Sequence, residues 1–206
     1  MQNTNEFNLA QKTRECQKKF KLFFSAKKVP SLWLNFLIME PDDPPLVNLN
    51  DFRSWIIEEN DDVLVLDKPG WLVCHPSKNG PLSSLVGAAK EYLGVESIHL
   101  ASRLDRETSG VVLLAKHKKA ASHWQKAIEE KRVKRRYLAI LSGELKDSVK
   151  VSNFLGNDPE SEVFVKQRVL EQKIKKTKKA ETILTPLITT QQYSFCRIRT
   201  LSGRKH

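Results

Sequence analysis

The chain has 206 residues, with 35 Lys and Arg against 24 Asp and Glu, for a formal charge of +11 and a pI near 9.6. At 40% hydrophobic residues with 8 Gly and 9 Pro, it has apolar content for a sizeable core and is neither a disordered tail nor a collagen-like or linker-dominated chain. No apolar run approaches the length of a membrane span. The polar first 15 residues lack a signal-peptide core, and Cys16, Cys74 and Cys196 are too few and too scattered for a disulfide framework or a zinc site. The expected compartment is the reducing cytoplasm.

Residues 1–50 read as an N-terminal extension. They have a Lys-rich start (Lys18, Lys19, Lys21), an apolar patch from Trp33 to Ile38 and a turn-rich stretch through Pro41, Pro44 and Pro45. From Asp51 to His206 the pattern is that of one packed domain. The apolar runs Val63–Leu66 and Trp71–Cys74 read as two strands joined by a Pro-Gly turn. Apolar residues at 85, 86, 89, 92 and 93 predict a helix, with Ser83 or Ser84 as its cap and Gly94 as its stop. Ser97–Leu100 and Val111–Ala115 are predicted strands on either side of a polar loop, residues 101–110. Lys118–Arg132 places Ala120, Ala121, Trp124, Ala127 and Ile128 on one helical face. Four more strands are expected over 136–141, 163–170, 180–186 and 193–201, so strands outnumber helices and the class is α+β.

Positive charge is concentrated. Residues 118–150 hold ten basic residues against four acidic, and residues 166–179 seven against one. Such a stripe suits a polyanion, since each phosphate neutralised releases counterions, although a solvated face explains a charge run equally well. The 101–110 loop carries the chemistry. Ser102-Arg103-Leu104-Asp105-Arg106-Glu107-Thr108-Ser109-Gly110 packs two acids, two arginines and three hydroxyls between core strands. An Asp between two arginines can remain ionised when partly buried, as a nucleophile or base needs; a turn-forming Asp is the plainer alternative. His75 and His99 have no paired base or ligand nearby in sequence and read as structural.

The stretch Arg103 to Lys116, RLDRETSGVVLLAK, resembles the signature loop of the RluA-type family of RNA pseudouridine synthases. Three further segments agree in order: Asp62–Pro69 with Leu72, Val73, His75 and Pro76; KRRYLAILSG over 134–143; and LSGRKH over 201–206. The resemblance implies a pseudouridine synthase fold, a mixed and mostly antiparallel sheet with flanking helices and a central cleft. It implies Asp105 as catalytic carboxylate, acting at the sugar C1′ or C2′, and Tyr137 as the active-site tyrosine lying against the extruded base. It also implies ribosomal or transfer RNA as partner and neither metal nor cofactor; Arg103, Arg106, Lys134, Arg135, Arg136 and Arg204 are then the candidates for phosphate contacts, with Arg106 equally able to orient Asp105. A monomer that does not engage membranes is expected. Two departures stand out. Ser102 replaces the family's usual His, and the chain stops at His206 within the last motif, before a Gln-Ile-Arg whose Arg pairs with the aspartate. The second makes a truncated or degenerate copy the expectation, with a catalytically inactive RNA-binding module as the alternative function.

Overall fold

The computed structural model describes residues 46–75, 79–161, 167–170, 172–173 and 177–202. The described chain divides at Val133/Lys134 into two compact units. The first is built on an antiparallel sheet of β1 (Ile56–Glu59), β2 (Val63–Lys68), β3 (His99–Leu100) and β4 (Gly110–Ala115), in the order β1-β2-β4-β3. Its helices are α1 (Leu49–Ser54), α2 (Leu85–Leu93) and α3 (Lys118–Glu129). The second unit is a five-stranded antiparallel sheet of β5 (Arg135–Ser142), β6 (Val149–Asn157), β7 (Gln167–Leu170), β8 (Lys178–Thr189) and β9 (Tyr193–Thr200), ordered β5-β9-β8-β6-β7.

The first unit's core forms where α1 and α2 cover one side of the sheet. Phe52, Leu64, Leu66, Leu72, Leu85, Val112 and Leu114 are all at most 1% exposed, and Val47 joins them. Each such Leu contributes about 2 kcal/mol of apolar transfer. Phe52 packs on Trp55 and Tyr92 at ring separations of 5.8 and 5.4 Å, and Trp55 meets Trp71 edge-on at 6.1 Å. α3 buries Ala120 and Ala127 and half-buries Ala121, Trp124 and Ile128, the stripe expected from the sequence.

α2 starts and stops where its residues dictate. The Ser84 hydroxyl accepts from Gly87 N at 3.1 Å, and Gly94 ends the helix at φ +66°. Gly87 permits close approach: a Cβ there would lie 1.8 Å from the Pro81 carbonyl oxygen. Gly87→Ala is therefore expected to lower stability by about 2–3 kcal/mol, read from a urea midpoint with unchanged slope. α3 is capped by His117, whose Nδ1 accepts from Ala120 N at 3.2 Å while Nε2 sits 2.8 Å from Asp62 Oδ1. That pair of bonds leaves Nδ1 bare and places the ring proton on Nε2, donating to the carboxylate.

Trp71–Cys74 is not a strand. Only Val73 forms a bridge, to Ser84, because the Val73 and Cys74 carbonyls accept from the first-turn amides of α2, Leu85 N at 2.9 Å and Val86 N at 3.1 Å. β2 pairs instead with β1 and β4. α1, β1 and β6 have no counterpart in the sequence reading. α1 has six residues, capped by Asn48, too few for a helical period to register. β1 is short and bulged at Ile57, and β6 opens with four exposed residues. Of the predicted 163–170 strand, Gln167–Leu170 is β7; residues 163–166 lie outside the described residues, as does the extension before Leu46.

Across β1, α2 and the end of β4, Glu59 accepts from Lys116 Nζ at 2.7 Å and from Tyr92 OH at 3.0 Å, with Arg53 over the Tyr92 ring at 5.1 Å. The Lys116 bond, helped by Tyr92, holds the Glu59 carboxyl below its usual range against the opposing effect of burial. A depressed carboxylate adds stability that is present above its unfolded value and lost as pH falls through the folded one. The stability advantage over Glu59→Gln should thus be about 0.5–1 kcal/mol at neutral pH and vanish in acid below the ordinary carboxylate range, as urea melts across pH will read.

Candidate active site

The loop over residues 101–109 leaves β3 and returns in β4, two strands paired through His99 with Ala115 and Leu100 with Leu114. Its backbone is tied down from beneath. Lys68, at the end of β2, is fully buried. Its Nζ donates to three carbonyls: Pro69 at 2.8 Å, Leu72 at 2.7 Å and, across 38 residues, Arg106 at 3.0 Å. An ammonium has three N–H donors, so donors and acceptors match in number. Cys74 Sγ donates to the Leu104 carbonyl at 3.2 Å, and Thr108 N closes a turn onto the Asp105 carbonyl at 3.2 Å. Gly70 completes the seat, since a Cβ there would stand 3.2 Å from the Glu107 carbonyl oxygen. Gly110, at φ +123°, lets the chain turn into β4.

With the backbone turned inward at 104, 106 and 107, the side chains of Arg103, Asp105, Arg106 and Glu107 are exposed. Burial pushes the Lys68 amine below its usual range, opposed by the nearby Cys74, Glu107 and Asp105 side chains. The arginines do not clasp the acid: among the described residues the Asp105 carboxylate has no ion pair or hydrogen bond, and neither Arg103 nor Arg106 has a carboxylate partner. Arg106 contributes its carbonyl to the anchor instead. The site residue that sequence reasoning missed is Lys68. Its signal was a lysine closing an apolar run immediately before Pro-Gly.

In the other unit, Tyr137 lies on β5 opposite Ile198 of β9, on a half-buried face shared with Arg135, Ala139 and Leu141. Strand alternation separates two of the candidate phosphate contacts. Arg135 is on the Tyr137 face, whereas Arg136 is exposed on the opposite one. Lys134 precedes the strand and is exposed; Arg204 lies outside the described residues. Thr200, opposite Arg135, buries an Oγ1 that has no hydrogen-bond partner among the described residues. Among those residues no group of three His, Cys, Asp or Glu is placed to hold a metal ion, and no helix is long and apolar enough to cross a membrane. A pocket of about 400 Å³, lined by Asp62, His117, Lys119, Ala120, His123 and Trp124, includes no residue of the 101–109 loop.

The α+β architecture of antiparallel sheets with few helices is a pseudouridine synthase fold. It is similar to that of human RNA pseudouridylate synthase domain containing 4, with a TM-score of 0.61 at 23% identity, covering 77% of this chain and 63% of that one. The human domain containing 1 gives a TM-score of 0.60 at 23% identity, covering 81% and 64%. The chain belongs to the RNA pseudouridylate synthase family, whose model matches residues 62–206. It is 33% identical over 165 residues to an RNA pseudouridine synthase of Mycoplasma pneumoniae, the MG209 homolog, covering 79% of this chain and 52% of the relative. It is 32% identical to the ribosomal large subunit pseudouridine synthase C of Vibrio vulnificus, covering 81% and 52%. The chain thus spans about half the length of the curated relatives it matches.

Proposed function

We propose that the chain isomerises uridine to pseudouridine in RNA, with residues 51–206 as the catalytic region, residues 1–50 as a separate extension, and Asp105 as the group that acts on the ribose. The observation that carries the reading is the Lys68 anchor: a loop held by its carbonyls from below presents an unpaired carboxylate outward, where a sugar can reach it. Detaching a uracil and rejoining it through C5 needs one ionised oxygen against the ribose and a support for the turned base. Tyr137, with an apolar ring and a polar tip, suits the second task. The uridine must leave its stack to be reached, and Arg103, Arg106, Lys134, Arg135, Arg136 and Arg204 are the candidates to hold the flanking phosphates. Such chemistry requires no metal or cofactor.

The names of the relatives favour ribosomal over transfer RNA as the substrate. The test is incubation of the chain, acting as a monomer in cytoplasmic-like buffer, with unmodified large-subunit ribosomal RNA and, separately, transfer RNA, followed by nucleoside chromatography. Pseudouridine is expected in the ribosomal RNA. Its appearance in transfer RNA alone would move the substrate assignment, and its absence from both would refute the activity.

A further inference from the structure

Cross-strand register places three arginines together on the side of the five-stranded sheet that does not carry Tyr137. Arg136 of β5 stands directly opposite Arg199 of β9, and Arg197, two residues along, stands opposite Leu138. Ile183 of β8 continues the first row, and Lys150 of β6 ends it. All four basic residues are exposed. Among the described strand residues the one acid on this face, Glu181, is already engaged by Lys150 at 2.9 Å and Lys179 at 3.3 Å. Among the described residues Arg136, Arg197 and Arg199 have no carboxylate partner. Like charges directly opposite each other across two strands repel, so such a pair weakens the sheet that holds it. Leu138 and Ile140, 40% and 55% exposed, lie on the same face and give the arginine stems apolar neighbours.

We infer that the Arg136–Arg197–Arg199 face is a second phosphate-binding surface for RNA, distinct from the Tyr137 face. The inference rests on the proposed RNA substrate and adds to it where part of that RNA runs. Guanidinium groups on a rigid sheet, with no internal counter-charge, meet phosphate oxygens through paired N–H donors, and the mutual repulsion that costs stability in the free protein is relieved by the bound anions. It moves Arg136 from the phosphates that flank the uridine to a different stretch of nucleic acid and leaves Arg135 on the Tyr137 face.

The test is fluorescence anisotropy with a labelled, mixed-sequence single-stranded RNA over a range of salt, comparing the full chain with Arg136→Gln/Arg197→Gln/Arg199→Gln. The comparator is Lys126→Gln/Arg132→Gln/Lys146→Gln, three cations that already sit beside Glu130 or Glu144. The arginine variant should bind about tenfold more weakly at low salt and lose about 2 units from the log–log salt slope, with the comparator nearly unchanged. Its melting temperature should be no lower than that of the parent, since the opposed pair is gone. A slope drop no larger than the comparator's, or lost binding accompanied by a lower melting temperature, overturns the inference. Failure here with uridine conversion intact leaves the proposed function standing; loss of slope in a chain that never forms pseudouridine keeps the surface and removes the activity.

Discussion

Asp105→Asn is expected to lower the rate of pseudouridine formation by about 10³–10⁴-fold while leaving RNA affinity within about threefold. The substitution is nearly isosteric, and none of the loop's anchors uses the carboxylate: they are the carbonyls of Leu104, Asp105 and Arg106, held by Cys74 Sγ, Thr108 N and Lys68 Nζ. An amide at this position keeps the shape of the loop and removes the charge proposed to act on the ribose. Because the side chain makes no hydrogen bond or ion pair among the described residues, its loss should change the melting temperature little. Rate measured at saturating RNA, beside a thermal melt, separates the chemical role from a turn-forming one. Equal rates for the two proteins would make Asp105 an ordinary loop residue.

Lys68→Met should have the largest effect on stability, a loss of about 3–5 kcal/mol. Methionine keeps most of the apolar stem, so the cavity is small. What disappears is the ammonium that satisfies the Pro69, Leu72 and Arg106 carbonyls in a site closed to water. Two consequences are separable: the urea midpoint falls, and the backbone amides around residues 104–108 exchange faster even well below that midpoint. A Lys68→Met protein with the parent's stability and an equally protected loop would show that the loop is held by the strands alone. The two variants separate the reactivity proposed for Asp105 from the position that Lys68 gives the loop.

Much of this was legible in the sequence because it is local. A cap at Ser83 or Ser84 and the Gly94 stop of α2, the Ala120–Ala127 stripe of α3, the apolar run of β2 and the apolar run of β4 that follows the polar loop are all read from spacing alone. What was not legible is non-local. A buried lysine reads as a surface one until the strand before it and the loop 38 residues later are brought together. Trp71–Cys74 has a strand's composition, yet its carbonyls are taken by the amides of α2, a competition that composition does not record. The separation of Arg135 from Arg136 onto two faces follows from the two-residue period of any strand, but the alignment of Arg136 with Arg199 depends on how β5 and β9 pair, 63 positions apart, which only the register supplies.

Release of tritium from RNA carrying uridine labelled at C5 is the most direct measurement of the activity, since rejoining the base through C5 expels the hydrogen bound there. One tritium released for each pseudouridine formed, and none with the Asp105→Asn protein, is the expected result. A folded chain that binds the RNA and releases no tritium above background would contradict it.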